Sequence, residues 1–172
     1  LNSYSIIKCS NLKNIEPCSQ SNSLITQYAD PLMETLMDMS TGVIEQNVGK
    51  KLFPTYSFFR IYDKGSDLPI HVDRPSCEYT VALCLGCEPA WLIFKLVNLK
   101  INHAFEMLPN NALIFQGMEN LHWREECHHD HFITVFLHYV DQEGKYSEHK
   151  YDKRDQLGLD KVKWICCLWL EA

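Results

Sequence analysis

LPIHVDRPSCEYTVALCLG, residues 68 to 86, decides how this chain is read. It sets a histidine and an aspartate two residues apart, His71 and Asp73, ahead of the apolar run Tyr79–Leu85. In a strand, side chains i and i+2 point to the same side. At a strand end, His71 and Asp73 can therefore present an imidazole and a carboxylate to one point. Two ligands do not make a metal site, and His-x-Asp by itself is short and common. It fits two polar residues at a turn as well as half of a site. The rest of the chain has to supply a third ligand and a scaffold.

Outward from this stretch, the texture after Pro54 is that of short strands. Apolar or alternating runs fall at Tyr56–Tyr62, Tyr79–Leu85, Trp91–Val97, His103–Leu108, Ala112–Phe115 and Phe132–Val140. Turn residues punctuate them: Lys64 to Asp67, Gly86, Pro89, Pro109 to Asn111 and Gly117. Such spacing argues for a sandwich or barrel. FITVFLHYV is apolar on both alternate faces, as an interior strand covered on both sides would be. The cover is expected from a helix over residues 31 to 40, with Asp30 as N-cap, Pro31 at the first position and Thr41-Gly42 as its end. Leu32, Met33, Leu36 and Met39 would form its packing stripe. The expected architecture is mostly β with supporting α, a double-layered β core flanked by an N-terminal helix. Residues 1 to 27 are Ser/Asn-rich, with an edge-strand candidate at Tyr4–Ile7. The C-terminal WICCLWLEA is apolar enough to dock on the core or a partner.

The 172 residues suit one domain, and 46% hydrophobic with 12% aromatic residues can build a sizeable core. Net charge is −6 with a pI near 5.7, which is no footprint for a nucleic-acid binder. No apolar run approaches the roughly 20 residues of a membrane span. The chain starts at Leu1, so its start says little about targeting. Of the eight cysteines, Cys84 lies inside an apolar run where a thiol acts as a small hydrophobe. The set reads as mostly reduced, hence an intracellular, cytoplasmic protein. Cys84-Leu-Gly-Cys87 has no second C-x-x-C to complete a four-cysteine zinc site, which favours a structural role.

His122 is the best third ligand. It follows the strand ALIFQ and the turn at Gly117, as His71 follows its own strand and turn. Two histidines and a carboxylate make the facial triad of non-haem Fe(II) oxygenases, leaving three positions for a bidentate co-substrate and dioxygen.

Here the sequence resembles a known family. RIYDKGSDLPIHVDRPSCEYTVALCLG, then LPNNALIFQGMENLHWREE, then FITVFLHYVDQEG look like the core of the 2-oxoglutarate- and Fe(II)-dependent oxygenases, nearest the small prolyl-4-hydroxylase-like proteins. The resemblance spans about residues 54 to 154 and is sharpest at HVDRPSCEYT and HWRE. It implies a double-stranded β-helix, or jelly-roll, within a single oxygenase domain over residues 1 to 172. It implies His71, Asp73 and His122 as iron ligands. It implies decarboxylation of 2-oxoglutarate to succinate and CO2 with O2 as the second co-substrate, ascorbate as a candidate reductant, and hydroxylation of an unactivated C–H bond. A peptidyl prolyl or other protein side chain is the favoured substrate, a small molecule the alternative. Nucleic acid and membrane partners are disfavoured.

The family also uses an Arg or Lys for the distal carboxylate of 2-oxoglutarate, near the start of the strand after the last histidine. Here that stretch reads CHHDHFIT, without either. His131 and Thr134 lie near the expected place. Arg60 and Tyr62, two apart on the strand before the metal loop, and Arg124, two after His122, offer a relocated site, since a guanidinium binds carboxylate bidentately. Each could equally pair with an acid such as Glu125. Arg74 suits either the substrate mouth or a loop salt bridge. Trp91 and Trp123 suit the cleft or the core. Cys127, His128, His129 and His131 invite a zinc reading, but neighbours on a short loop rarely converge on one tetrahedral point, and a solvated loop is favoured. His138 reads as a satisfied core histidine; His103 and His149 carry no signal. Two other classes stay open: a cupin-type metal-dependent hydrolase or isomerase, and a non-catalytic jelly-roll binding module.

Overall fold

The structure, a computed structural model, describes residues 25–87, 91–97, 101–128 and 130–158. Among the described residues, nine strands form two antiparallel sheets. In chain order they are β1 (Ile25–Tyr28), β2 (Leu52–Asp63), β3 (Leu68–His71), β4 (Tyr79–Cys87), β5 (Trp91–Val97), β6 (Ile101–Met107), β7 (Ala112–Phe115), β8 (His122–Arg124) and β9 (His131–Asp141). One sheet runs β1-β2-β9-β4-β7, the other β3-β8-β5-β6. This is a double-stranded β-helix, with one helix, α1 (Pro31–Val48), against the larger sheet.

The period-2 pattern of β9 explains the layering. Phe132 and Phe136 point between the sheets, where they meet Tyr62, Ala82, Cys84 and Trp91. Val135, Leu137 and Tyr139 point the other way, onto Met33, Met37 and Ile44 of α1. β9 therefore reads apolar on both faces because both are covered, as expected from FITVFLHYV.

α1 begins where the sequence says. The Asp30 carboxylate accepts from the backbone N–H of Leu32 and Met33, at 3.1 and 3.3 Å, and Pro31 sits in the first turn. It does not stop at Thr41-Gly42. It runs to Val48 and ends at Gly49, whose left-handed φ of 76° closes it with an N–H to Glu45 carbonyl bond. A helix-interior glycine costs only about 1 kcal/mol, and Ile44 and Val48 extend the buried stripe past it. That stripe is Met33, Met37 and Ile44, while Leu32 and Met39 are exposed.

β2 also starts earlier than expected, at Leu52. Pro54 is tolerated because the register with β9 shifts between Pro54 and Ser57. Among the described residues the larger sheet has β1 at one edge and β7 at the other; Tyr4–Ile7 and the C-terminal WICCLWLEA lie outside the described residues. No helix among the described residues is long and apolar enough to cross a membrane.

Beyond β9, residues 147–158 return across the metal-loop end of the sheet as a strap. Three consecutive residues there, Tyr151, Asp152 and Lys153, hold φ of 53°, 55° and 62°. Left-handed backbone costs roughly 1–2 kcal/mol per non-glycine residue, so tertiary bonds must hold it. Arg154 forms a buried ion pair with Glu34, and Asp152 makes four side-chain hydrogen bonds, described below.

Candidate metal centre and active site

β3 and β8 are antiparallel, and His71 and His122 are direct partners in their register. This brings two histidines 51 positions apart to a ring separation of 4.2 Å. Each Nδ1 lies 2.8 Å from a backbone carbonyl, of Pro69 for His71 and of Asn120 for His122. A carbonyl only accepts, so each Nδ1 carries the proton and each Nε2 is left as a free lone pair. Both Nε2 atoms lie 3.6 Å from Asp73 Oδ1. Cis ligands at roughly 2.1 Å from one ion stand about 3 Å apart, so the three donors need only a small contraction to hold one. The sequence-predicted ligands thus converge.

Asp73 is built to stay ionised. Burial pushes its carboxyl up, but the two histidine rings beside it, His122 and His71, outweigh that and hold it far below the usual carboxylate range. His71 is the converse case: burial pulls it down, yet Asp73 and the Pro69 carbonyl leave it above its ordinary value. The second carboxylate oxygen is fixed by the Thr80 hydroxyl at 2.9 Å. The same hydroxyl is 3.1 Å from His138 Nδ1. His138 is buried, and burial depresses its pKa to about 4.

Gly117 closes this corner. Its carbonyl accepts from the Asp73 N–H at 2.9 Å. A Cβ there would stand 2.6 Å from the Cys77 carbonyl and from Thr80 Oγ1, and closer still to Asp73 Oδ2. Only glycine lets the turn after β7 lie against the ligand carboxylate.

These three side chains line a cavity of ≈ 290 Å³. Phe58 and Phe136 form apolar wall, Arg60 brings a cation, and Tyr28, Tyr56 and Arg74 form the rim. Asp152 of the strap holds this rim together. It accepts from Arg74 Nη1 and Nη2 at 2.9 and 2.8 Å, from the Ser76 hydroxyl at 2.7 Å and from the Tyr28 hydroxyl at 2.6 Å. The Arg74 guanidinium stacks 4.4 Å from the Tyr56 ring centre. Both readings of Arg74, cavity mouth and salt bridge, therefore hold at once.

The cation candidates separate by position. Arg60 Nη1 donates to the Tyr62 hydroxyl at 2.9 Å. Arg124 follows His122 by two residues on β8, so both point inward, at 2% and 4% exposure. Its guanidinium stacks on Phe132, Trp91 and Tyr62, at 4.4, 4.5 and 5.8 Å from their ring centres. None of its three nitrogens has a hydrogen-bond partner among the described residues. Burial lowers its pKa to about 10, which still leaves it charged at neutral pH. An unpaired buried charge costs several kcal/mol; a carboxylate ligand would offset that. Thr134 is buried and donates to the Leu83 carbonyl at 2.9 Å. His131 is exposed at the start of β9, opposite Asp63.

Other sequence candidates fall elsewhere. Cys127 is buried between the sheets while His128 and His131 face solvent, so these three do not converge; His129 is outside the described residues. Trp91 is core, and Trp123 is half-buried. Cys77, Cys84, Cys87 and Cys127 form no disulfide with one another. His149 contacts the Ser76 hydroxyl at 3.0 Å. Sequence reasoning missed Thr80, Asp152 and the true role of Gly117. A polar residue in the apolar run after the metal loop was the only signal for Thr80.

No protein-family model matches the chain, and no curated protein matches it. Solved structures do. A Pseudomonas putida prolyl-4-hydroxylase aligns over 80% of this chain and 83% of its own, with a TM-score of 0.59 and 14% identity. A 2OG-Fe(II) oxygenase family oxidoreductase from Burkholderia pseudomallei aligns over 80% and 76%, at 0.61 and 14%. A prolyl hydroxylase from Trichoplax adhaerens, in complex with a hypoxia inducible factor oxygen degradation domain peptide fragment, aligns over 83% and 76%, at 0.58 and 12%. The fold is that of the 2-oxoglutarate/Fe(II) oxygenase structures.

Proposed function

We propose that this chain is an Fe(II)- and 2-oxoglutarate-dependent dioxygenase that hydroxylates an unactivated C–H bond, releasing succinate and CO2. The observation that carries the reading is the trio of His71 Nε2, His122 Nε2 and Asp73 Oδ1, with both Nδ1 atoms tied to carbonyls. The donor set fits Fe(II): three ligands on one face, none to close the other. Bound there, iron with 2-oxoglutarate would supply the oxidising power for C–H cleavage. Arg124 fits the co-substrate, since its guanidinium nitrogens are buried and unbonded. Its task is to hold the distal carboxylate bidentately, with the Tyr62 hydroxyl beside it. Arg60 is the alternative cation, on the cavity wall. His131 and Thr134 are left with supporting roles at most. The substrate is a peptidyl prolyl or another protein side chain; the aromatic cavity wall supports this.

Anaerobic addition of Fe(II) and 2-oxoglutarate to metal-free protein should give a weak visible charge-transfer band, absent in His71→Ala and Asp73→Ala. Arg124→Leu should raise the 2-oxoglutarate concentration for half-saturation at least tenfold, with metal affinity kept. The same loss in Arg60→Leu, with Arg124→Leu unaffected, would move the cation to Arg60. No band, and no rise in melting temperature with 2-oxoglutarate, would point to the hydrolase or isomerase class instead.

A further inference from the structure

Asp73 belongs to a second group of donors. With Cys77 and His138 it forms a trio whose ligand atoms all lie within 4.8 Å of one another. All three residues line the same cavity as the triad. Cys77 and His138 are 1% and 5% exposed. They come from the short helical turn after the metal loop and from β9, 61 positions apart, so no local sequence pattern brings them together. Two hydroxyls serve the three side chains. The Thr80 hydroxyl links Asp73 Oδ2 to His138 Nδ1, and the Tyr56 hydroxyl lies 3.1 Å from Cys77 Sγ.

We propose that Asp73, Cys77 and His138 form a second, softer metal seat for zinc-class divalent ions, sharing Asp73 with the triad. The donor set is one sulfur, one nitrogen and one oxygen, with the cavity supplying the fourth position. That is the open tetrahedral arrangement zinc accepts, whereas the all-N/O triad suits iron. On binding, the Cys77 S–H bond breaks, a metal–sulfur bond forms, and one proton leaves to solvent. The triad takes Oδ1 of Asp73 and this seat takes Oδ2. A cation on Oδ2 withdraws electron density from Oδ1 and removes the Thr80 bond that orients it, so occupancy should weaken iron binding. That consequence rests on the proposed function; the seat itself does not.

Cobalt(II) titration of the metal-free full chain, without oxygen, tests it. Two equivalents should bind. The triad should give weak visible absorption that 2-oxoglutarate perturbs. The second seat should give an intense near-ultraviolet thiolate-to-cobalt band. Cys77→Ser should lose that band and bind one equivalent; His71→Ala should lose the other signal and keep the band. In unmutated protein, zinc should protect Cys77 from alkylation, read by site-resolved mass spectrometry, so the answer does not depend on the variant folding. One equivalent without a thiolate band, or a band that survives Cys77→Ser, would overturn the seat. Failure of 2-oxoglutarate to perturb the first signal would count against the dioxygenase reading and leave the seat standing.

Discussion

Gly117 does not hold a left-handed backbone; it is there for room. Two of the atoms a Cβ would meet are the Cys77 carbonyl, which is backbone, and the ligand carboxylate itself. Gly117→Ala should therefore cost about 1–3 kcal/mol by overpacking and, through Asp73, at least tenfold in metal affinity, measured by calorimetry. Thr80→Val keeps the volume and removes the hydroxyl that fixes Asp73 Oδ2. An outer-shell partner of this kind typically contributes 10–100-fold to metal affinity, and Thr80→Ser should recover most of it. The convergence of the three proposed ligands was legible in the sequence because His-x-Asp at a strand end and a histidine after a second strand carry their chemistry in residue type and spacing. Gly117 and Thr80 were not, since their roles exist only once β4 and the turn after β7 meet the metal loop.

Among elements, α1 shows how packing sets a boundary. A glycine was read as the stop, yet the stripe Met33, Met37 and Ile44 carries the helix on to Gly49, where left-handed φ is needed. Met37→Ala should cost about 2–5 kcal/mol in urea denaturation, because Met37 is fully buried against β9. Met39→Ala, on an exposed side chain, should cost little. The strap was illegible for another reason: nothing in HKYDKR announces a left-handed turn. Asp152 holds it down. Burial raises its carboxyl, but bonds from Arg74, Tyr28 and Ser76 outweigh that and hold it well below the usual range. A folded-state pKa below the unfolded one means the strap is fully held above about pH 4 and loosens as pH falls further. The opening of residues 151–158, read from hydrogen exchange corrected for the intrinsic rate at each pH, should rise on acidification below about pH 4 in the unmutated chain. In Asp152→Asn it should be high already at pH 7 and lose that pH dependence.

At the scale of the molecule, the β core was readable from the run of short strands and the two-faced β9, and the order of strands within it was not. Register is a long-range choice, and the local pattern of β2 or β4 does not name its partner. The outcome is that the last of the described strands, β9, lies at the centre of the larger sheet, between β2 and β4. Until residue 141 has been synthesised, β2 and β4 expose facing edges with no occupant. A nascent chain must therefore keep both open and unaggregated from the end of β4 until β9 emerges, then close them with a single late arrival. Folding dominated by such distant pairing falls in the millisecond-to-second range. A fragment ending at residue 130 should show no cooperative unfolding transition. Added in trans, a peptide spanning residues 131–141 should restore one, recorded as a sigmoidal urea transition by circular dichroism.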